Sequence, residues 1–178
     1  MNAPGRLVVG LGNPGERYAD TRHNLGWMVV DACVRQRSAE LLRSEDDRHP
    51  SRLYRSGGAL FAQPTASMNR SGAETRRILR YYRLRAEDML VVSDDLDLPF
   101  GELRFRDSGG AGGHKGLGDI VGHVGTETFA RLRIGIGRPP AGTDPADFVL
   151  QRFTKEEAVR LPAVIKAAAE RIGEWLDG

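Results

Sequence analysis

The sequence holds a single cysteine, Cys33, and only three lysines, Lys115, Lys155 and Lys166, in 178 residues. One thiol excludes an internal disulfide framework and any cysteine-rich zinc site, which fits a reducing compartment. Its place in an apolar helical pattern points to plain packing. No apolar run approaches the length that spans a bilayer, and the amino terminus carries no basic segment followed by a long apolar stretch. A soluble cytoplasmic protein is therefore expected. Charge of one sign is also scarce: 26 Lys and Arg stand against 24 Asp and Glu, a net +2. That balance permits nucleic acid as a partner through a local basic patch without demanding one. Internal repeats and low-complexity segments are missing too. At this length one domain, residues 1–178, is the expectation.

Apolar and polar periodicities alternate along the chain. Arg6-Leu7-Val8-Val9-Gly10-Leu11 reads as a short strand buried on both faces, ending in the turn Gly12-Asn13-Pro14-Gly15. A helical pattern runs from about Asn24 to Arg43, with Trp27, Val30, Val34 and Leu41 on one face. The segment 44–51 has loop composition. Residues 53–57 and 59–63 suggest a hairpin about Gly57-Gly58. Ser71-Gly72-Ala73-Glu74 fits a capping box that opens a helix to about Arg83. Met89 to Ser93 and Glu102 to Arg106 read as strands. A glycine-rich loop, 108–113, leads to a helix through Ile120 and Val121, and Arg131 to Gly137 is a further strand. Thr154-Lys155-Glu156-Glu157 repeats the capping pattern ahead of a helix whose Ile165, Ala168, Ile172 and Trp175 share a face. Such alternation defines an α/β class.

Three groups of residues could carry chemistry. Gly10-Leu11-Gly12-Asn13-Pro14-Gly15 has the spacing of a dinucleotide-binding turn after a strand, which raises a nicotinamide-dependent oxidoreductase reading. However, helical periodicity starts only near Asn24, and the region about twenty residues on lies inside a helix. A tight turn that needs glycine's dihedral freedom is at least an equal account. Thr21-Arg22-His23-Asn24 follows, with Tyr18 just before it, at the strand edge where open α/β sheets bind ligands. Asp94 closes the strand Leu90-Val91-Val92-Ser93. If the two strands are neighbours, its carboxylate meets His23, fixes the imidazole tautomer and stabilises the imidazolium formed when a proton is taken. Asp95 reads as a solvated or turn-capping acid, and Asp97 either as the same or as a brace for the Asp94 loop. His49 and His123 read as ordinary surface or packing residues.

Other nucleophiles and cofactors find little support. The chain has no G-x-S-x-G elbow, no H-E-x-x-H and no clustered His/Cys set. The glycine-rich stretch around His114-Lys115 lacks the Gly-Lys-Ser/Thr of a phosphate loop, and reads as either a flexible surface loop or a substrate-binding lid. Water is the expected attacker, with no metal.

Taken in order, Gly10 to Gly15, Thr21 to Asn24, Met68-Asn69-Arg70-Ser71-Gly72, Asp94-Asp95-Leu96-Asp97-Leu98-Pro99, Gly112-Gly113-His114-Lys115-Gly116 and Arg131 to Gly137 closely resemble the bacterial-type peptidyl-tRNA hydrolase family across nearly the whole chain. The resemblance implies a monomeric three-layer α/β/α fold around a central mixed, mostly parallel sheet. It implies cofactor-free hydrolysis of peptidyl-tRNA and N-blocked aminoacyl-tRNA, releasing tRNA for translation and rescuing ribosomes. His23 is then the general base, Asp94 its support, and Asn13 the residue that separates N-blocked from free aminoacyl groups. Tyr18 and Asn69 match positions that contact the aminoacyl end, and His114 falls with them among the substrate- or tRNA-binding candidates. Two of these candidates depart from the family: Ser67 stands where phenylalanine is usual, and Lys115 where asparagine is usual. A competing reading is a catalytically silent RNA-binding relative. Arg76, Arg80 and Arg83, with Arg77 and Arg85 nearby, are either a solvated helix face or a contact for tRNA phosphates.

Overall fold

Seven strands and five helices are described in a computed structural model that covers residues 4–46 and 48–178. The strands are β1 (Arg6–Gly10), β2 (Glu40–Arg43), β3 (Ser51–Ser56), β4 (Ala59–Pro64), β5 (Met89–Asp95), β6 (Leu103–Arg106) and β7 (Ala130–Gly135). They form one sheet in the order β2-β3-β4-β1-β5-β7-β6. β4, β1, β5 and β7 are mutually parallel, and the antiparallel β3 and β6 flank them. Because β2 is antiparallel to β3, it shares the direction of the central four. The sheet is thus mixed, as expected, with five of its seven strands running in one direction.

Two faces of the sheet need cover because successive residues of the central strands alternate between them. Val8, Phe61, Leu90, Val92, Leu132 and Ile134 point to one side. There they meet Val29, Val30 and Cys33 of α1 (Leu25–Gln36), and Ala168 and Ile172 of α5 (Lys155–Asp177). Leu7, Val9, Leu60, Met89 and Val91 point to the other side, onto Ile78 and Leu79 of α2 (Ser71–Tyr82) and Leu117 and Ile120 of α3 (Lys115–Val124). A short α4 (Pro145–Phe148) follows β7. The result is three layers with a separate hydrophobic core on each face of the sheet.

Several expectations need correction. The helix read from Asn24 to Arg43 ends at Gln36, and the chain turns at Ser38, a non-glycine residue at φ 47°. Leu41 then lies in the edge strand β2, half exposed, where pairing with β3 satisfies its backbone. Ser71 does not cap α2. Its hydroxyl donates to the Met68 carbonyl (2.8 Å), and Glu74 is buried, accepting from Arg43 (2.7 Å) and the Ser51 hydroxyl (2.8 Å). A tertiary ion pair thus outcompetes the local cap. The second capping box forms as read, Thr154 and Glu157 each accepting the other's backbone N–H. The loop at 44–51 includes Asp47, which lies outside the described residues.

Glycines 10 and 12 are required for a different reason from the one the turn suggested. Only Gly15 of this segment has positive φ, 103°. A Cβ on Gly10 would lie 2.4 Å from the Gly26 carbonyl oxygen, and one on Gly12 would lie 2.6 Å from the Trp27 ring. The glycines let α1 rest directly on the end of β1, and this close packing accounts for the spacing without a phosphate.

Candidate active site

β1 and β5 are paired side by side in parallel, Val9 opposite Val91, so the segments beyond their carboxyl ends emerge together. The chain after β1 makes two short 3-10 turns, Glu16–Tyr18 and Arg22–Asn24, before entering α1. His23 sits in the second. Its backbone N–H donates to the Val149 carbonyl (2.8 Å), and that of Arg22 to the Gln151 carbonyl (3.0 Å). Arg22 is buried and anchors the turn. Its guanidinium donates to Glu157 and to the Arg152 carbonyl, both at 2.7 Å, and lies 4.1 Å from the centre of the Phe148 ring. A turn that would otherwise be a surface loop is therefore pinned to the start of α5.

Asp94, near the end of β5, receives two imidazoles. His23 Nδ1 lies 2.9 and 3.0 Å from its two carboxylate oxygens, and His114 Nε2 lies 3.1 Å from Oδ1. The side chains of Asp94, His114 and His23 are 2%, 10% and 13% exposed, so the contact is largely dry. Burial alone would raise the Asp94 carboxyl, but the two imidazoles offset it and hold the group well below the usual carboxylate range. With Nδ1 of His23 donating to the carboxylate, Nε2 is left as the acceptor: the tautomer of a general base. The second imidazole is oriented separately. His114 caps α3, and its Nδ1 accepts from the Leu117 N–H (3.3 Å), which leaves the proton on Nε2 to meet Asp94.

Among the described residues, the ligand atoms of His23, Asp94 and His114 also lie within 4.8 Å of one another, a donor set of the kind zinc accepts. If both imidazoles donate to Asp94, as the Leu117 N–H on His114 Nδ1 favours for that residue, a cation at this point would have to displace both protons.

The cluster opens into a cavity of about 610 Å³ lined by Asn13, Tyr18, Asn69 and Lys115 as well as His23, Asp94 and His114. Asn13 is held tightly. Its backbone N–H and C=O pair with the Asn24 side chain (2.9 and 3.0 Å), and its Oδ1 accepts from the Met68 N–H (2.8 Å). Among the described residues its Nδ2 has no hydrogen-bond partner, which leaves both of its N–H donors for a ligand. Asn69 is set up in the same sense, since its Oδ1 accepts from the Ser67 hydroxyl (2.9 Å). Ser67 itself is not on the cavity wall, and its side chain meets the site only through this bond to Asn69. Lys115 stands exposed at the first residue of α3, and the Ala111–Lys115 stretch forms part of the wall. This glycine-rich loop is tethered by buried Arg131, which donates to the carbonyls of Gly110 (3.0 Å), Glu127 (2.9 Å) and Gly109.

Of the two readings of Asp95, solvated or turn-capping, the second holds: it is buried, ion-paired with Arg133, and accepts the Asp97 N–H (2.8 Å), which also makes it, and not Asp97, the brace of the turn. Asp97 is exposed on the rim, paired with Arg138. His49 and His123 are exposed and bonded to Asp46 and Asp119, as surface histidines. Sequence reasoning missed Arg133, Arg138 and the α4 wall, where Asp144, Pro145 and Val149 face the cavity. The Pro145 that starts a helix behind Asp144 was the available signal, but a four-residue helix leaves almost no periodicity.

A family model described as peptidyl-tRNA hydrolase matches residues 7–178. The chain is 44% identical over 173 residues to a peptidyl-tRNA hydrolase of Rhodopirellula baltica, covering 96% of this chain and 90% of that protein. It is 45% identical over 173 residues to one from Deinococcus deserti, covering 96% and 79%. The crystal structure of peptidyl-tRNA hydrolase from Acinetobacter baumannii superposes with a TM-score of 0.89 at 33% identity, covering all of this chain and 91% of that one. By sequence along nearly its whole length and by fold, the chain belongs to the peptidyl-tRNA hydrolase family.

Proposed function

We propose that this enzyme hydrolyses the ester bond joining a peptide, or an N-blocked aminoacyl group, to the 3′ end of a tRNA, with His23 as general base. The observation that carries the reading is the His23–Asp94 pair: Nδ1 is fixed on a buried carboxylate, and Nε2 is left free to take a proton from water. The water attacks the ester carbonyl and its proton passes to Nε2. Asp94 stabilises the imidazolium, which then returns the proton to the departing ribose oxygen, so free tRNA and a carboxylic acid leave. His114 shares Asp94 and limits its rotation.

The remaining donors favour substrate recognition. With its Oδ1 held by the Met68 N–H, Asn13 directs its Nδ2 donors at the substrate, and these pair with the carbonyl of an N-blocking acyl group and give nothing to a free ammonium, itself a pure donor. Asn69 Nδ2 is a donor for the aminoacyl end, Tyr18 adds an aromatic wall, and the Lys115 ammonium is a mobile positive charge for a phosphate or a developing oxyanion. These roles fit a cytoplasmic enzyme of translation that acts as a monomer and needs neither metal nor cofactor.

Release of N-acetyl-amino acid from N-acetyl-aminoacyl-tRNA tests the reading, with unblocked aminoacyl-tRNA as control. The parent should release only the blocked group, and His23→Ala should be slower by about 10²- to 10⁴-fold, the usual worth of general-base assistance. Equal rates for parent and variant would remove His23 from the mechanism. No release by the parent would leave a silent RNA-binding relative instead.

A further inference from the structure

The outer face of α2 carries an unusual charge. Glu74 is the only acid of the helix, and it is buried against Arg43 (2.7 Å) and Arg77 (3.2 Å). The exposed side presents Arg76, Arg77 and Arg80, with Arg83 just past the carboxyl end, Arg70 just before the start, and Tyr81 at 78% exposure. Among the described residues, Arg70, Arg76, Arg80 and Arg83 have no acidic partner. Arg76 and Arg80 are one turn apart, and like charges at that spacing weaken a helix. Folding therefore gives no reason for the row, and an anionic partner does.

The position of the row narrows the partner. Arg70 directly follows Asn69, which lines the catalytic cavity, so the row begins at the cavity wall. From residue 70 to 83 it extends about 20 Å at the helical rise of 1.5 Å per residue. Guanidinium groups grip phosphates with two parallel N–H bonds, and a tyrosine hydroxyl can add another such contact. We propose that the outer face of α2, through Arg76, Arg80 and Arg83 with Arg70 at its head and Tyr81 beside them, binds the sugar–phosphate backbone of the RNA substrate while its 3′ end occupies the cavity. This inference rests on the hydrolase reading above and adds where the body of the substrate lies. The contact is to backbone phosphates, so it reads no sequence.

The test compares Arg76→Ser/Arg80→Ser with the parent on two substrates that carry the same N-acetyl-aminoacyl group: a full-length tRNA and a short oligonucleotide of its 3′ end. On the full tRNA the double variant should lose about tenfold in kcat/KM at low salt. Its plot of log kcat/KM against log salt should be shallower by roughly 1 to 2, the loss of two phosphate contacts. On the short substrate it should match the parent, and Arg76→Lys/Arg80→Lys should recover most of the loss on tRNA. An equal loss on both substrates, or unchanged kinetics and salt slope on tRNA, would overturn the proposal. So would an effect confined to binding of phosphatidylserine vesicles, which would assign the face to a membrane. If the parent cleaves neither substrate, the hydrolase reading falls and takes this one with it. If the parent cleaves both and the variant is indistinguishable from it, only the α2 face is lost.

Discussion

At Asp94 two opposing forces act on one carboxylate: burial favours the neutral acid, and two imidazoles at hydrogen-bond distance favour the anion. The imidazoles dominate, so the native carboxyl titrates below its ordinary value of about 3.9. Because the folded-state value is depressed, the stabilisation from this charge is complete above the ordinary value and is lost as the pH falls from there toward the native one. Asp94→Asn keeps the shape and removes the charge. The difference in Tm between parent and Asp94→Asn should accordingly shrink as the pH falls below about 4; a difference that widens there would contradict the ion-pair account. At neutral pH the same substitution should lower kcat by about 10²-fold or more, because the imidazolium loses its counter-charge.

At the scale of elements, the site depends on how closely α1 approaches the end of β1. The Gly10 and Gly26 backbones touch, and a methyl group on Gly10 would meet the Gly26 carbonyl oxygen at 2.4 Å and Val30 Cγ2 at 2.7 Å. Backbone lies on both sides, so the contact cannot be relieved by turning a flexible side chain. Gly10→Ala should destabilise the protein by about 1–3 kcal/mol, the usual cost of overpacking, seen as a lower urea midpoint at unchanged m. A midpoint equal to the parent's would show that α1 can retreat freely. The second tie is Arg22, which joins the His23 turn to Glu157 at the start of α5. Glu157 serves both this ion pair and the α5 capping box, so a residue read from sequence only as a cap also holds the His23 turn.

For the whole molecule, the three layers enclose Cys33, whose thiol burial pushes up to about 11 against a partial offset from Arg37. Iodoacetamide should therefore modify Cys33 only as the protein unfolds, with a rate that follows the urea transition; prompt labelling of native protein would show that the α1–α5 layer opens by itself. The strands other than β2, the helices α2, α3 and α5, and the order of the site motifs were legible in the sequence because strand and helix periodicities follow directly from side-chain direction. The edge strand β2 and the absent cap at Ser71 were not, because pairing with β3 and the buried contact of Glu74 with Arg43 decide them, and the short α4 was not, because four residues leave almost no periodicity. By itself the sequence determined the α/β class and the family resemblance, which rest on local pattern, and it named His23 and Asp94 as partners on condition that the two strands lie side by side, which the β1–β5 pairing supplies. Only the tertiary structure decided that His114 shares Asp94, that Asp95 rather than Asp97 braces the turn, and that Asn13 and Asn69 each present their donors. Those outcomes depend on which atoms meet across the sheet edge, and hydrogen bonds form over about 3 Å in space, whatever the separation along the chain.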